Sequence, residues 1–123
     1  MATFLGTQHD RRPAVGVLVD GYLLATGTAL DPATGRVPDD ITSLTDEVAR
    51  CFAALDVALS EAGMSRADLV KTTCWLADEA DRAEFIPAYR DQCAAGVYPA
   101  RCTMVAGLPG GARVAIEAVA YRA

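Results

Sequence analysis

The chain has 123 residues, about the size of one domain, and 52% of them are apolar, enough to build a core without disulfide or metal staples. Its 22% charged content excludes wholesale disorder. Eleven basic against sixteen acidic residues leave a net charge of −5, with Lys71 the one lysine and no basic run longer than Arg11-Arg12, which argues against a nucleic-acid binder.

Residues 15–19 and 22–28 are β-rich runs around Asp20-Gly21, a pair that tolerates the positive φ angles of a tight hairpin turn. Residues 31–35 read as a turn and 37–40 continue the loop. Residues 41–62 carry the clearest helical pattern. Ile41, Leu44, Val48, Phe52, Leu55, Leu59 and Ala62 recur in steps of three or four, with Asp39 or Asp40 able to cap the start and Gly63 the end. Residues 68–76 include LVKTTCWL, rich in β-branched and aromatic residues, and predict a strand. A second helix is predicted over 81 to about 93, with Phe85, Tyr89 and Cys93 on one side. Pro87 implies either a late start that puts it in the first turn or a kink. A short strand over 101–105, a turn over 108–111 and a strand over 113–121 complete the chain. In the last strand Val114, Ile116, Ala118 and Ala120 share one face.

This order predicts a single α+β domain spanning 1–123, one mixed sheet with both helices on one face. The other face would carry Ala115, Glu117, Val119 and Tyr121, too apolar for water, so a second subunit is expected to cover it.

Cys51, Cys74, Cys93 and Cys102 include no CxxC pair, and His9 is the only histidine, so no zinc site is expected. The even count permits two disulfides, but a chain with this core does not need them, and four reduced thiols in a cytoplasmic protein are expected. The first twelve residues lack the pattern of a signal peptide, and no apolar run is long enough to span a membrane.

Glu117 stands inside the apolar run VAIEAVAY, where a carboxylate is expensive unless paired. It reads either as a structural ion pair or solvated sheet residue, or as a functional acid. Arg101 reads either as a strand-end surface arginine or as an anchor. An antiparallel hairpin through LPGG would place the two on neighbouring strands, where a guanidinium beside a carboxylate can bind a substrate carboxylate bidentately. Cys102 is a candidate nucleophile or an ordinary core thiol, with no histidine at hand to activate it.

The run YPARCTMVAGLPGGARVAIEAVA resembles the C-terminal signature of the YjgF/RidA (reactive intermediate deaminase) family, roughly PARxxVxVAxLPxGAxVEIEAIA. Leu30 to Gly35 resembles that family's LDPxTG loop, and the stretch from Ser60 to Asp78 its AGxSLxDVVKxTVFLxD. The resemblance runs in order along nearly the whole chain. It implies a chorismate-mutase-like α+β fold, a homotrimer with clefts between subunits, and no cofactor or metal. It also implies hydrolysis of a small carboxylate-bearing imine or enamine to a 2-oxo acid and ammonia. In that frame Arg101 holds the substrate carboxylate, Glu117 positions or activates water, and Cys102, Thr28, Ala29 and Tyr89 contribute to substrate binding. The sequence departs from the family pattern at several places: Arg11 to Val15 replaces a Tyr-Ser segment, Thr26-Gly27-Thr28 replaces SGQ, and Ile86 and Cys51 replace asparagines. These changes favour a substrate dedicated to one pathway. The alternative is a relative that binds a metabolite, or promotes a tautomerisation or cyclisation, without deamination. The ribonuclease activity sometimes attributed to the family is disfavoured by the acidic charge and the lack of a catalytic histidine.

Overall fold

A computed structural model describes residues 1–6 and 14–123. His9, Arg11 and Arg12 lie outside the described residues, and with them the question whether the two arginines add an anion contact or form a solvated arm. The elements are β1 (Ala2–Leu5), β2 (Gly16–Val19), β3 (Tyr22–Thr28), α1 (Leu44–Glu61), β4 (Leu69–Leu76), α2 (Arg82–Gln92), β5 (Ala100–Val105) and β6 (Val114–Tyr121). They form a six-stranded sheet in the order β1-β2-β3-β6-β4-β5, antiparallel except for the β4–β5 pair.

The hairpin forms as its turn residues dictate, with Asp20 at φ 51 and Gly21 at φ 83. Strand β1, which pairs with β2, is an addition to the predicted order. Helix α1 starts at Leu44 because Ser43, not Asp39 or Asp40, supplies the cap, its hydroxyl accepting from the Asp46 amide at 3.0 Å. Asp40 instead pairs with Arg50 at 3.0 Å. Gly63, at φ 71, follows the helix end as expected. Helix α2 starts before Pro87's own first turn and carries the proline inside it. A 3-10 turn over Glu79–Asp81, capped by the Asp78 carboxylate, initiates the helix upstream.

Both helices lie on one face of the sheet. Leu44, Val48, Phe52, Leu55 and Leu59 of α1 and Phe85 of α2 are buried against Val114, Ile116, Ala118 and Ala120 of β6 and Cys74 and Leu76 of β4. Gly27 lets α1 cross β3 closely, since a Cβ there would collide with the Cys51 carbonyl. Arg66 ties the helices together. It holds Asp56 through two bonds of 2.8 and 2.7 Å, reaches the Gln92 carbonyl at 2.8 Å, and lies 5.0 Å over the Phe52 ring. Burial pushes the Cys51 thiol up to about 12 and the Cys74 thiol up to about 11, so both remain neutral core residues.

One buried carboxylate fixes the start of β6. Glu47, 2% exposed, accepts from the main-chain amides of Arg113 at 2.7 Å and Val114 at 2.9 Å. Replacing Glu47 by alanine removes the acceptor of both amides, and an unsatisfied buried donor costs roughly 1–3 kcal/mol. Denaturant unfolding of Glu47→Ala should show a loss of at least that size, with Glu47→Gln losing less. A variant as stable as the parent would contradict this role.

Candidate active site

Alternation along β6 sends Glu117 to the face away from the helices. Thr26 of β3 and Thr73 of β4 flank it in register, and Thr73 in turn pairs with Cys102 of β5. The open face thus carries a polar row, Thr26–Glu117–Thr73–Cys102. With strands about 4.8 Å apart, Cys102 stands about 10 Å from Glu117 along it. Thr28 lies on the same face, paired with Ala115. A depression of about 210 Å³ opens over Glu117, lined also by Thr26, Thr73, Lys71, Leu24 and Val119. The indole N–H of Trp75 donates to Glu117 Oε1 at 2.9 Å.

Arg101 is elsewhere. It pairs with Thr72, the neighbour of Thr73, and therefore points to the helix face. Its guanidinium stacks 5.0 Å over the Tyr89 ring of α2. Tyr89 is buried, and its hydroxyl shares a 2.6 Å hydrogen bond with Thr72 Oγ1. Burial raises its phenol above the ordinary range. Arg101, Tyr89, Arg90, Tyr98 and Pro99 line a second hollow of about 540 Å³.

The expected hairpin through LPGG does not form. Strand β4 lies between β5 and β6, so Arg101 and Glu117 are neither on neighbouring strands nor on the same face. The reason is the connection: a strand–helix–strand segment returns β5 parallel to β4 at the sheet edge, and β6 then enters between β3 and β4. Glu117 is exposed within one chain, on the face for which a covering subunit was expected. Of the candidate residues, Glu117, Thr28 and Cys102 share the open face, whereas Arg101 and Tyr89 share the other. Ala29 is buried at the end of β3. Cys51, one of the departures from the family pattern, belongs to the core, with its thiol 3.8 Å from the Val114 carbonyl.

Sequence reasoning missed Trp75, Thr73 and Thr26. The alternation in LVKTTCWL already puts Lys71, Thr73 and Trp75 on one face, but only the strand register brings that face beside Glu117. Among the described residues no group of three or more His, Cys, Asp or Glu side chains could hold a metal ion, and no helix is long and apolar enough to cross a membrane.

A six-stranded mixed sheet with two helices on one face, an arginine at its parallel edge and a glutamate on its open face define a YjgF-type domain. The profile of the family described as Endoribonuclease L-PSP matches residues 12–122, and the chain belongs to this YjgF/RidA family. A RutC family protein of Aquifex aeolicus is 34% identical over 109 residues, covering 86% of this chain and 85% of the relative. A 2-iminobutanoate/2-iminopropanoate deaminase of Capra hircus is 36% identical over 109 residues, covering 86% of this chain and 77% of the relative. The crystal structure of a YjgF-family member from Neisseria meningitidis superposes with a TM-score of 0.83 at 26% identity, covering 100% of this chain and 96% of that one.

The Tyr89 hydroxyl is hydrogen-bonded to Thr72 inside the core while its ring faces the Arg101 guanidinium, so the ring is the part of Tyr89 placed to act on a ligand held by Arg101. Tyr89→Phe should therefore retain ligand affinity and lose about 1–3 kcal/mol of stability, as Thr72 is left without its partner. Tyr89→Leu should weaken both. A selective loss of affinity in Tyr89→Phe, at unchanged stability, would instead make the hydroxyl a ligand contact.

Proposed function

We propose that the protein is a cofactor-free enzyme that hydrolyses a small carboxylate-bearing imine or enamine to a 2-oxo acid and ammonia. In this reading it acts as a homotrimer, each site using Arg101 of one copy and Glu117 of the next. The observation that carries the proposal is the separation of these two residues onto opposite faces of one sheet, which leaves neither hollow with both the Arg101 fork and the Glu117 carboxylate; Lys71 beside Glu117 offers a point charge without the fork. Support for a covering copy comes from the open face, where Tyr22 is 47%, Leu24 48%, Met104 38% and Tyr121 41% exposed. The name carried by the deaminase relatives supports the reaction class.

The chemistry asks little of the protein. Arg101 presents two parallel N–H donors to the substrate carboxylate, fixing the adjacent C=N carbon. Glu117 takes a proton from water as its oxygen adds to that carbon. That proton passes to nitrogen to complete the carbinolamine, whose hydroxyl proton is then carried to nitrogen as the C–N bond breaks, so that ammonia leaves and the 2-oxo group forms. Positioning supplies much of the acceleration, because the imine carbon is already electrophilic. The departures from the family pattern at Thr26, which lines the Glu117 depression, and at Thr28 on the same face support a substrate dedicated to one pathway.

Ammonia release from freshly generated 2-iminopropionate or 2-iminobutyrate tests the reading, on protein whose mass is checked by light scattering. Three copies and accelerated release are expected. Arg101→Ala should lose on the order of 2–5 kcal/mol of carboxylate binding, and Arg101→Lys should also be impaired, since a point charge lacks the fork. Glu117→Gln should keep binding and lose about 10²–10⁴-fold in turnover. A stable monomer at micromolar concentration, or release no faster than the uncatalysed reaction while carboxylates still bind, would overturn the enzyme reading.

A further inference from the structure

The bond from Trp75 to Glu117 has no structural task that a hydrocarbon ring could not meet. Trp75 pairs in register with Ala115, and Glu117 with Thr73, so the indole and the carboxylate are diagonal neighbours on the open face. A long carboxylate on an exposed sheet face ordinarily samples several rotamers. Here the indole N–H, a donor with no acceptor function, meets Oε1 at 2.9 Å. An ionised carboxylate only accepts, so an N–H donor matches it, and the bond fixes the direction of Oε2. The same carboxylate lines the depression with Thr26, Thr73 and Lys71.

We infer that Trp75 is a positioning residue, whose indole N–H holds the Glu117 carboxylate facing the depression in the orientation needed to accept a proton from water. This rests on the role proposed for Glu117 and adds a requirement to it: the acid–base group works only when held. Trp75 touches the carboxylate rather than the reacting atoms, so it acts on turnover and not on substrate binding. Packing alone would require only an aromatic ring at this place, and the nitrogen is what distinguishes the two roles.

The chain has one tryptophan, so nitrogen-15 labelling gives a single indole N–H resonance that reports this bond directly. In the assembled protein that resonance should shift upfield in Glu117→Ala. It should move on acidification in the parent and not in Glu117→Gln. Trp75→Phe, which keeps the ring and drops the donor, should lower kcat about tenfold at unchanged KM and unchanged thermal midpoint. In the Glu117→Gln background the same change should cost nothing further, because the two residues act as one unit. An indole resonance indifferent to Glu117→Ala would overturn the inference, as would Trp75→Phe with full kcat. If the parent turns over no imine, the deaminase reading fails separately, and the indole resonance alone decides whether Trp75 holds Glu117.

Discussion

Side chains of paired strands share a face, and in β4 the two residues that pair with the candidate site are consecutive. Thr72 pairs with Arg101 and Thr73 with Glu117. A strand alternates its side chains with a period of two, so consecutive residues point in opposite directions. The guanidinium is therefore committed to the helix side of the sheet and the carboxylate to the open side. No rotamer change repairs this within one chain, because the sheet itself stands between them.

The two faces provide different surroundings for the two groups. On the helix side the exposed Arg101 guanidinium rests on the ring of Tyr89, which is buried and hydrogen-bonded to Thr72. On the open side Glu117 is exposed beside threonines, Lys71 and Trp75, within a surface whose other members are largely apolar. A carboxylate in that setting gains strength as an acid–base group when water is excluded from around it, and a covering copy would do so. In the proposed trimer the contact that would bury Leu24, Tyr22 and Tyr121 would also have to bring Arg101 of one copy to Glu117 of the next, making assembly a condition of activity.

Local signals in the sequence carried most of the elements. Asp20-Gly21 marked the hairpin, the apolar stripe from Leu44 to Leu59 marked α1, and the alternation of Val114, Ile116, Ala118 and Ala120 identified the buried face of β6. The family was legible in the C-terminal block. What was not legible was pairing between distant segments. Strand β1 is four residues long and has no pattern of its own apart from its partner β2. The LPGG turn suggested a hairpin between β5 and β6, yet the order β4–α2–β5 is that of a parallel crossover, and this non-local pairing decided the sheet. From that one misplacement follow both the error about Arg101 beside Glu117 and the absence of Trp75 from the expected site. The start of α1 was misplaced for a smaller reason: several polar residues precede it, and it is the Ser43 hydroxyl that takes the Asp46 amide.

Subunit complementation tests most directly whether the site joins two copies. Arg101→Ala and Glu117→Gln chains, each inactive alone, would be unfolded together in equal amounts and refolded. In a cyclic trimer with head-to-tail interfaces, about three-quarters of the assemblies formed at random are mixed, and each mixed one contains one junction with both residues intact. The mixture should recover about a quarter of the parent turnover, one site in three within three-quarters of the trimers. If the mixture forms mixed trimers and stays as inactive as its components, Arg101 and Glu117 do not act across an interface, and the site is not shared.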